Sequence, residues 1–428
     1  MKIVILDGRL GKSQQRFDSY INELKSLLEQ AGHTAEHFVV KDLDLHHCIG
    51  CWDCWVKTPG QCVFDDASRA INRAIIKADF LLFATPLVMG YATYELKRKM
   101  DRIIPLIHPY ITVVENESHH RVRYEKYPLV GLLSQPGATD SEEDVFITSE
   151  MFARTALNFK SRLAFSVTME EEPADLAARF EKVEAQHYSF NREIPQRERD
   201  KVGPLDKIAI FNGSPRGKKG NTPILLDQFA QGFSSIKGRS VETYHLFKTK
   251  NIDVFTEAFE QAESVLIGFP LYTDAMPGIV KQFIDALEPL TQRDSNPPIA
   301  FLVQSGFGEN HHSRYVQRYL ESLAARLHSP YLGTMVRGGC EGVRMMPENM
   351  NRKTFDALHT LGVEMAENGK FNQVSLDAFG NREKYAGIQL PFFKLMTRMP
   401  FMNWYWYSQL KKNKAYAERF NKPYQELV

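Results

Sequence analysis

Two groups of residues in this sequence combine types and spacings suited to chemistry. The first is a set of thiols: Cys48, Cys51 and Cys54 recur at every third position and Cys62 follows, so that four of the five cysteines fall within 15 residues. Four soft sulfur donors so close can wrap an iron–sulfur cluster or a zinc ion in a site of four thiolates. They can also stay metal-free, as redox-active or structural thiols. The spacing alone leaves these three readings open. The second group is Asn212-Gly213-Ser214-Pro215-Arg216-Gly217-Lys218-Lys219-Gly220-Asn221-Thr222. Its glycines let the backbone wrap a phosphate, its Ser214, Asn221 and Thr222 offer donors, and Arg216 adds positive charge. The N-terminus of a following helix would add open N–H groups. The same residue types also build ordinary capped turns, so position in the fold decides between the two.

The elements that position these groups come in two sets. Apolar runs at 2–6, 37–40, 80–84, 129–133 and 163–167 are repeated by runs at 207–212, 241–246, 264–268, 299–304 and 331–336. In the second set, helical patterns near 222–234, 277–289, 310–327 and 351–368 separate most of them. Short runs apolar on both faces and joined by helices predict an α/β fold with parallel sheets. Five strands per half suit a doubly wound order. The halves also align by sequence. Pro86, Lys97, Asp101 and Pro105 match Pro270, Lys281, Asp285 and Pro289 at a constant offset of 184. The starts, Lys2–Gly8 and Lys207–Gly213, match at an offset of 205, so the first half holds 21 extra residues, and the four cysteines lie among them. A period this long is a domain duplication. The predicted domains are 1–193 and 207–385, joined by a polar linker at 193–206 and followed by an aromatic-rich arm at 386–428.

The stretch from Gly213 to Thr222 resembles the FMN-phosphate loop of the NADPH-dependent FMN reductase and iron–sulfur flavoprotein branch of the flavodoxin-like superfamily. Pro270-Leu271-Tyr272-Thr273-Asp274-Ala275-Met276-Pro277 is similar to its loop bordering the isoalloxazine ring, and Ser305-Gly306-Phe307-Gly308 to the loop on the ring's other flank. The resemblance implies two tandem flavodoxin-like domains. FMN would be held by Ser214, Arg216, Gly220, Asn221, Thr222, Pro270, Leu271, Tyr272, Thr273, Ser305, Gly306, Phe307 and Gly308. It also implies NAD(P)H as electron donor and a small acceptor such as a quinone, a nitro or azo compound, or free flavin. No obligatory acid–base residue is expected. Cys48, Cys51, Cys54 and Cys62 resemble the family's [4Fe–4S] ligands, and the alternative function is an electron carrier between redox proteins. In the first half, Asp7-Gly8-Arg9-Leu10-Gly11-Lys12-Ser13 keeps only Lys12 and Ser13 as phosphate donors. That half is expected to cover a flavin bound elsewhere, the two halves acting as an internal pseudo-dimer or within a homo-oligomer.

The net charge of +1 with 25% charged residues argues against nucleic acid or an anionic membrane as main partner. The start lacks the pattern of a signal peptide and no apolar run spans a bilayer, so a cytoplasmic, soluble protein is expected. The arm, interrupted by Lys394 and Arg398, reads as a packing arm or subunit contact. His46, His47, His119, His120, His311 and His312 read as surface histidines in polar stretches, and Cys340 as a buried lone thiol.

Overall fold

The computed structural model describes residues 1–11, 15–188 and 198–425. Lys12 and Ser13, and the part of the expected linker at 193–197, lie outside the described residues. The chain forms two compact units, Met1–Arg192 with Ala386–Val428, and Glu193–Tyr385. The aromatic-rich arm is thus part of the first unit.

In the first unit the strands are β1 (Lys2–Asp7), β2 (Thr34–Val39), β3 (Phe80–Val88), β4 (Tyr91–Ala92), β5 (Ile107–Val114), β6 (Glu117–Val122), β7 (Leu129–Gln135) and β8 (Leu163–Thr168). The main sheet runs β2-β1-β3-β7-β8 with every neighbour parallel. β4 turns back on the end of β3, and β5 pairs with β6 as a separate antiparallel hairpin. The central strand explains its own place: from Phe80 to Leu87 every residue of β3 is buried. Such a strand is stable only with helices on both faces, each fully buried Leu or Phe contributing about 1.5–3 kcal/mol. The hairpin went unforeseen because β6, with His119, His120 and Arg121, is polar and β5 is interrupted by His108 and Pro109, so neither alternates cleanly.

The second unit holds β9 (Lys207–Asn212), β10 (Ser240–His245), β11 (Val265–Pro270), β12 (Ile299–Gln304) and β13 (Tyr331–Arg337). They lie in the parallel order β10-β9-β11-β12-β13. Helices Asn221–Ser235 and Glu348–Asn368 pack so closely that Gly232 and Gly362 are required. A Cβ on Gly232 would lie 2.0 Å from the His359 carbonyl oxygen, and one on Gly362 2.1 Å from that of Phe229. Both halves therefore carry the doubly wound five-stranded order of the flavodoxin-like fold.

Candidate functional site

β9, β11 and β12 are neighbours and parallel, so the loops at their carboxyl ends share one edge of the second sheet, where open α/β sheets take ligands. The first loop leaves β9 through a turn in which the Asn212 Oδ1 accepts the Ser214 N–H at 3.0 Å. Gly213 fits because a Cβ there would stand 2.3 Å from the Val280 Cγ2, and Gly220 because its Cβ would stand 2.2 Å from the Ser214 Oγ. Gly217 adopts φ 54° against the Phe247 ring. The chain then enters helix Asn221–Ser235 from Gly220, which supplies no side-chain cap. The first N–H groups of the helix, without intrahelical acceptors, face this glycine-lined bend. Ser214, Asn221 and Thr222 are buried and Arg216 is half-buried at its rim. This donor set fits a phosphate dianion. Asn221 has a tying role: its amide donates to the Cys340 and Glu341 carbonyls at 2.8 and 3.1 Å. Thr222 accepts from Gln304 at 3.2 Å, joining this loop to the end of β12.

The second loop follows Pro270 and is anchored by the Leu271 N–H on the Gln304 carbonyl at 2.8 Å. Tyr272 and Ala275 pair across a two-residue turn whose central residues, Thr273 and Asp274, take φ 47° and 55°. A β-branched residue in that region is strained. The turn leaves Leu271, Tyr272 and Thr273 half-buried at the edge. In the third loop Ser305 is buried, Gly306 exposed, and Phe307 and Gly308 half-buried. The Phe307 ring stacks on His312 at 4.6 Å and 30°. His311 and His312 are buried, as is His119, in contrast to the surface placement expected from their polar neighbours. The two adjoin the helix Arg314–Arg326 and fill the space behind Phe307.

Sequence reasoning missed Glu341. It lies in the turn after β13, and a Cβ on Gly306 would come within 3.1 Å of its Oε2. Its Oε1 is buried without a hydrogen-bond partner. Burial pushes the carboxyl up to about 7 although Arg216 opposes the shift. The neighbouring thiol Cys340 is buried and inert, its pKa raised to about 12 by burial. The signal available in the sequence was a lone acid in a glycine-rich turn at the end of the fifth strand.

The first unit builds the matching loop differently. Asp7 Oδ1 accepts the Arg9 N–H at 3.0 Å, the same turn that Asn212 makes. Its other oxygen pairs with Arg9 and with His37 Nε2 at 2.9 Å, and Arg9 also pairs with Asp18. Burial pushes Asp7 up, but the hydrogen bonds from His37 and Arg9 outweigh it and leave its pKa below the ordinary value. This buried carboxylate thus holds the loop's cation, Arg9, in an internal pair.

The cysteine segment follows β2, at the corresponding edge of the first sheet. Cys54 is buried, Cys48 and Cys62 are half-buried and Cys51 is exposed. Gly50 and Trp52, at φ 62° each, bend the chain between the thiols. Burial raises Cys48 to about 12, with Asp101 adding to it, and raises Cys54 well above the ordinary thiol value, with Cys48, Cys62 and Cys51 adding. The four sulfurs thus lie in one another's field. Among the described residues, however, no three of them lie within 4.8 Å of one another, as ligands of a single tetrahedral ion would. Buried basic groups surround them: Lys99 and Arg102 lie in the field of Cys62, and Arg123 lies beside Cys54. Burial depresses Lys99 strongly, whereas Arg102 is held by Asp66 through bonds of 2.8 and 2.9 Å. The arm closes over this region. Trp406 meets Trp52 and Trp55 edge-on at 5.1 and 5.4 Å, and a Cβ on Gly60 would strike Pro423 at 2.6 Å.

A model of the NADPH-dependent FMN reductase family matches residues 1–119 and 207–338, together more than half of the chain. An iron–sulfur flavoprotein of Archaeoglobus fulgidus is 26% identical over 100 residues, 23% of this chain and 43% of that protein. Another, of Methanocaldococcus jannaschii, is 30% identical over 106 residues, 25% of this chain and 53% of that protein. The chain thus spans about half the length of the curated relatives it matches. Among solved structures, an FMN-dependent NADH-azoreductase of Bacillus anthracis aligns with TM-score 0.30 at 12% identity, over 38% of this chain and 100% of its own. An NADH:FMN oxidoreductase aligns with TM-score 0.31 at 13% identity, over 37% of this chain and 90% of its own.

Proposed function

Because the chain belongs to the NADPH-dependent FMN reductase family, we propose that it is an FMN-dependent oxidoreductase whose flavin is held by the second unit. The electron donor in this reading is NAD(P)H, and the acceptor is a small molecule such as a quinone, a nitro or azo compound, or free flavin. The observation that carries it is the convergence at one sheet edge of the uncapped, glycine-lined helix start at Gly220 with the Tyr272 and Phe307 loops. Bound FMN supplies two-electron chemistry. Arg216 and the helix N–H groups neutralise the phosphate, and Ser214 and Thr222 add hydroxyls. Leu271, Tyr272 and Phe307 offer flat apolar contact on either side of the ring. Glu341 offers an acceptor when ionised and a donor when protonated. The test is to purify the protein, quantify FMN per chain, and follow NADH and NADPH oxidation with a quinone. About one FMN per chain and acceptor-dependent turnover support the reading; absence of flavin refutes it.

A second reading rests on the thiols. Four cysteines in one field, with buried Arg102 and Arg123 beside them, suit a negatively charged iron–sulfur cluster. The chain would then carry electrons between redox proteins. Iron near four per chain after anaerobic purification supports this reading; zinc or no metal removes it.

A further inference from the structure

The segment that enters the aromatic-rich arm turns apolar side chains both inward and outward. Helix Gln389–Met396 and the turn after it place Phe393, Met396 and Thr397 toward the first unit, where Thr397 is buried. The Arg121 guanidinium donates to the Thr397 carbonyl at 2.6 Å and Lys394 to Asn116 at 3.0 Å, so the helix is held in this orientation. The opposite face should then be polar. Instead Ile388, Phe392, Leu395 and Met399, at helical spacing, are 86%, 63%, 52% and 38% exposed. Phe401, Met402 and Trp404 continue the stripe, with Trp404 70% exposed. Seven large apolar residues within 17 positions form an outward patch of the kind that a soluble surface rarely keeps without a use.

Charge indicates what meets the patch. Residues 386–417 contain Lys394, Arg398, Lys411, Lys412 and Lys414 and no aspartate or glutamate, although the whole chain has a net charge of only +1. Helical geometry sets the exposed Arg398 along the Leu395 border of the stripe, with Lys394 behind it tied to Asn116. A second copy of the chain would fit this poorly. A two-fold interface pairs the patch with itself and so brings the same cations together. An apolar, aromatic stripe bordered by cations and free of acids is what lies at the boundary of an anionic bilayer. No helix is long and apolar enough to cross a membrane, so the contact would be peripheral.

We propose that the outward face of 388–404 docks the protein on anionic lipid, with Phe392, Leu395 and Trp404 entering the acyl boundary while Arg398 meets the headgroups. This goes beyond the flavin reading and does not depend on it.

The test is co-sedimentation of the full chain with vesicles of phosphatidylcholine, alone or with about a third phosphatidylserine. The wild type is expected to partition at least tenfold better onto the phosphatidylserine vesicles. Raising salt from about 0.05 to about 0.5 M should release most of it. Phe392→Ser with Leu395→Ser and Trp404→Ser should lower partitioning at least tenfold. Because all three side chains are exposed, the melting transition should stay within a few degrees of wild type, separating loss of docking from loss of fold. Arg398→Gln alone should give a smaller loss with a flatter salt dependence. Three results would overturn the proposal: wild-type protein that ignores phosphatidylserine, a triple variant that partitions as well as wild type, or a salt-resistant dimer that the triple variant dissolves while vesicles go unbound.

Discussion

The two halves end their first strand with the same turn and put opposite chemistry into it. Asn212 and Asp7 each accept the N–H two residues on at 3.0 Å. In each, the glycine that follows donates to the third strand of its sheet, Gly213 to Gly268 at 2.7 Å and Gly8 to Ala84 at 2.8 Å. Each glycine is also pressed by equivalent helix residues, Val280 and Leu96. Both carry a buried ion pair one turn apart, Lys281 with Asp285 and Lys97 with Asp101. Against this shared frame the difference is one of charge. Asn212 adds no charge to a second loop that holds Arg216, Lys218 and Lys219 and no acid, whereas Asp7 places a buried carboxylate in the first loop and pairs it with Arg9. The same turn can therefore carry cations with no acid in the loop, or a cation paired internally, without a change of fold.

The strongest way to break this contrast is to fill the cradle. Gly220→Ala sets a Cβ 2.2 Å from the Ser214 Oγ, and FMN affinity measured by fluorescence quenching should fall at least about a hundredfold, since both a donor and the helix start are displaced. The equivalent strain at Gly8, Gly8→Ala against Leu96 Cβ at 2.6 Å, should lower stability by about 1–3 kcal/mol and leave flavin content unchanged. Next comes the charge itself. Asn212→Asp gives the second loop the acid of the first, and FMN affinity should fall about ten- to a hundredfold near neutral pH. Asp7→Asn leaves Arg9 short of a buried partner and should cost roughly 2–4 kcal/mol in urea unfolding without creating a second flavin site. A second equivalent of FMN bound by Asp7→Asn would show that charge alone separates the halves.

A milder contrast concerns Glu341. An acid whose folded pKa lies near 7, above its ordinary 4.5, holds a proton in the folded state that the unfolded chain has lost. Its effect on stability is therefore absent at low pH and becomes a growing penalty as pH rises from about 4.5 to about 7, reaching at most roughly 3 kcal/mol. Once ionised, it would also set a negative charge beside Arg216 and Gly306, at the proposed flavin site. FMN affinity should decline above about pH 7, by up to about tenfold per unit, and Glu341→Gln should flatten that slope. An unchanged slope in the variant would place the titration elsewhere.

Much of this was legible in the sequence. The runs at 207–212 and 299–304 coincide with β9 and β12, because strands buried on both faces write themselves as continuous apolar segments. The matched offset of Pro86 and Pro270 located equivalent tight turns after the third strand of each sheet. The parts that stayed hidden depend on distant partners. Glu341 faces the cradle only because Asn221 pins its turn from 120 residues away. Asp7 reads as a strand-end acid until His37 and Arg9 surround it. His312 stands in a polar stretch, and only the fold tucks it under Phe307. The outward stripe of 388–399 could not be told from a buried one by periodicity, since the same spacing serves either side of a helix.

The finest contrast lies in the loops after the third strand of each sheet, where both halves make one tight turn with unequal residues. Met89 and Gly90 take φ 52° and 77°, and Thr273 and Asp274 take φ 47° and 55°. Met89 is buried, so its strained backbone is held by packing. Thr273 is half-buried at the proposed flavin edge, with less packing to hold it. Asparagine tolerates this backbone better than either. Thr273→Asn should therefore raise stability by about 0.5–1 kcal/mol, with FMN affinity changed less than about threefold. Met89→Asn buries an amide in an apolar setting and should lower stability by about 1–3 kcal/mol. Urea unfolding of both variants reads the two signs directly. Equal signs would mean that the turn is held in the same way in both halves, and the strain at Thr273 would then have no bearing on the flavin edge.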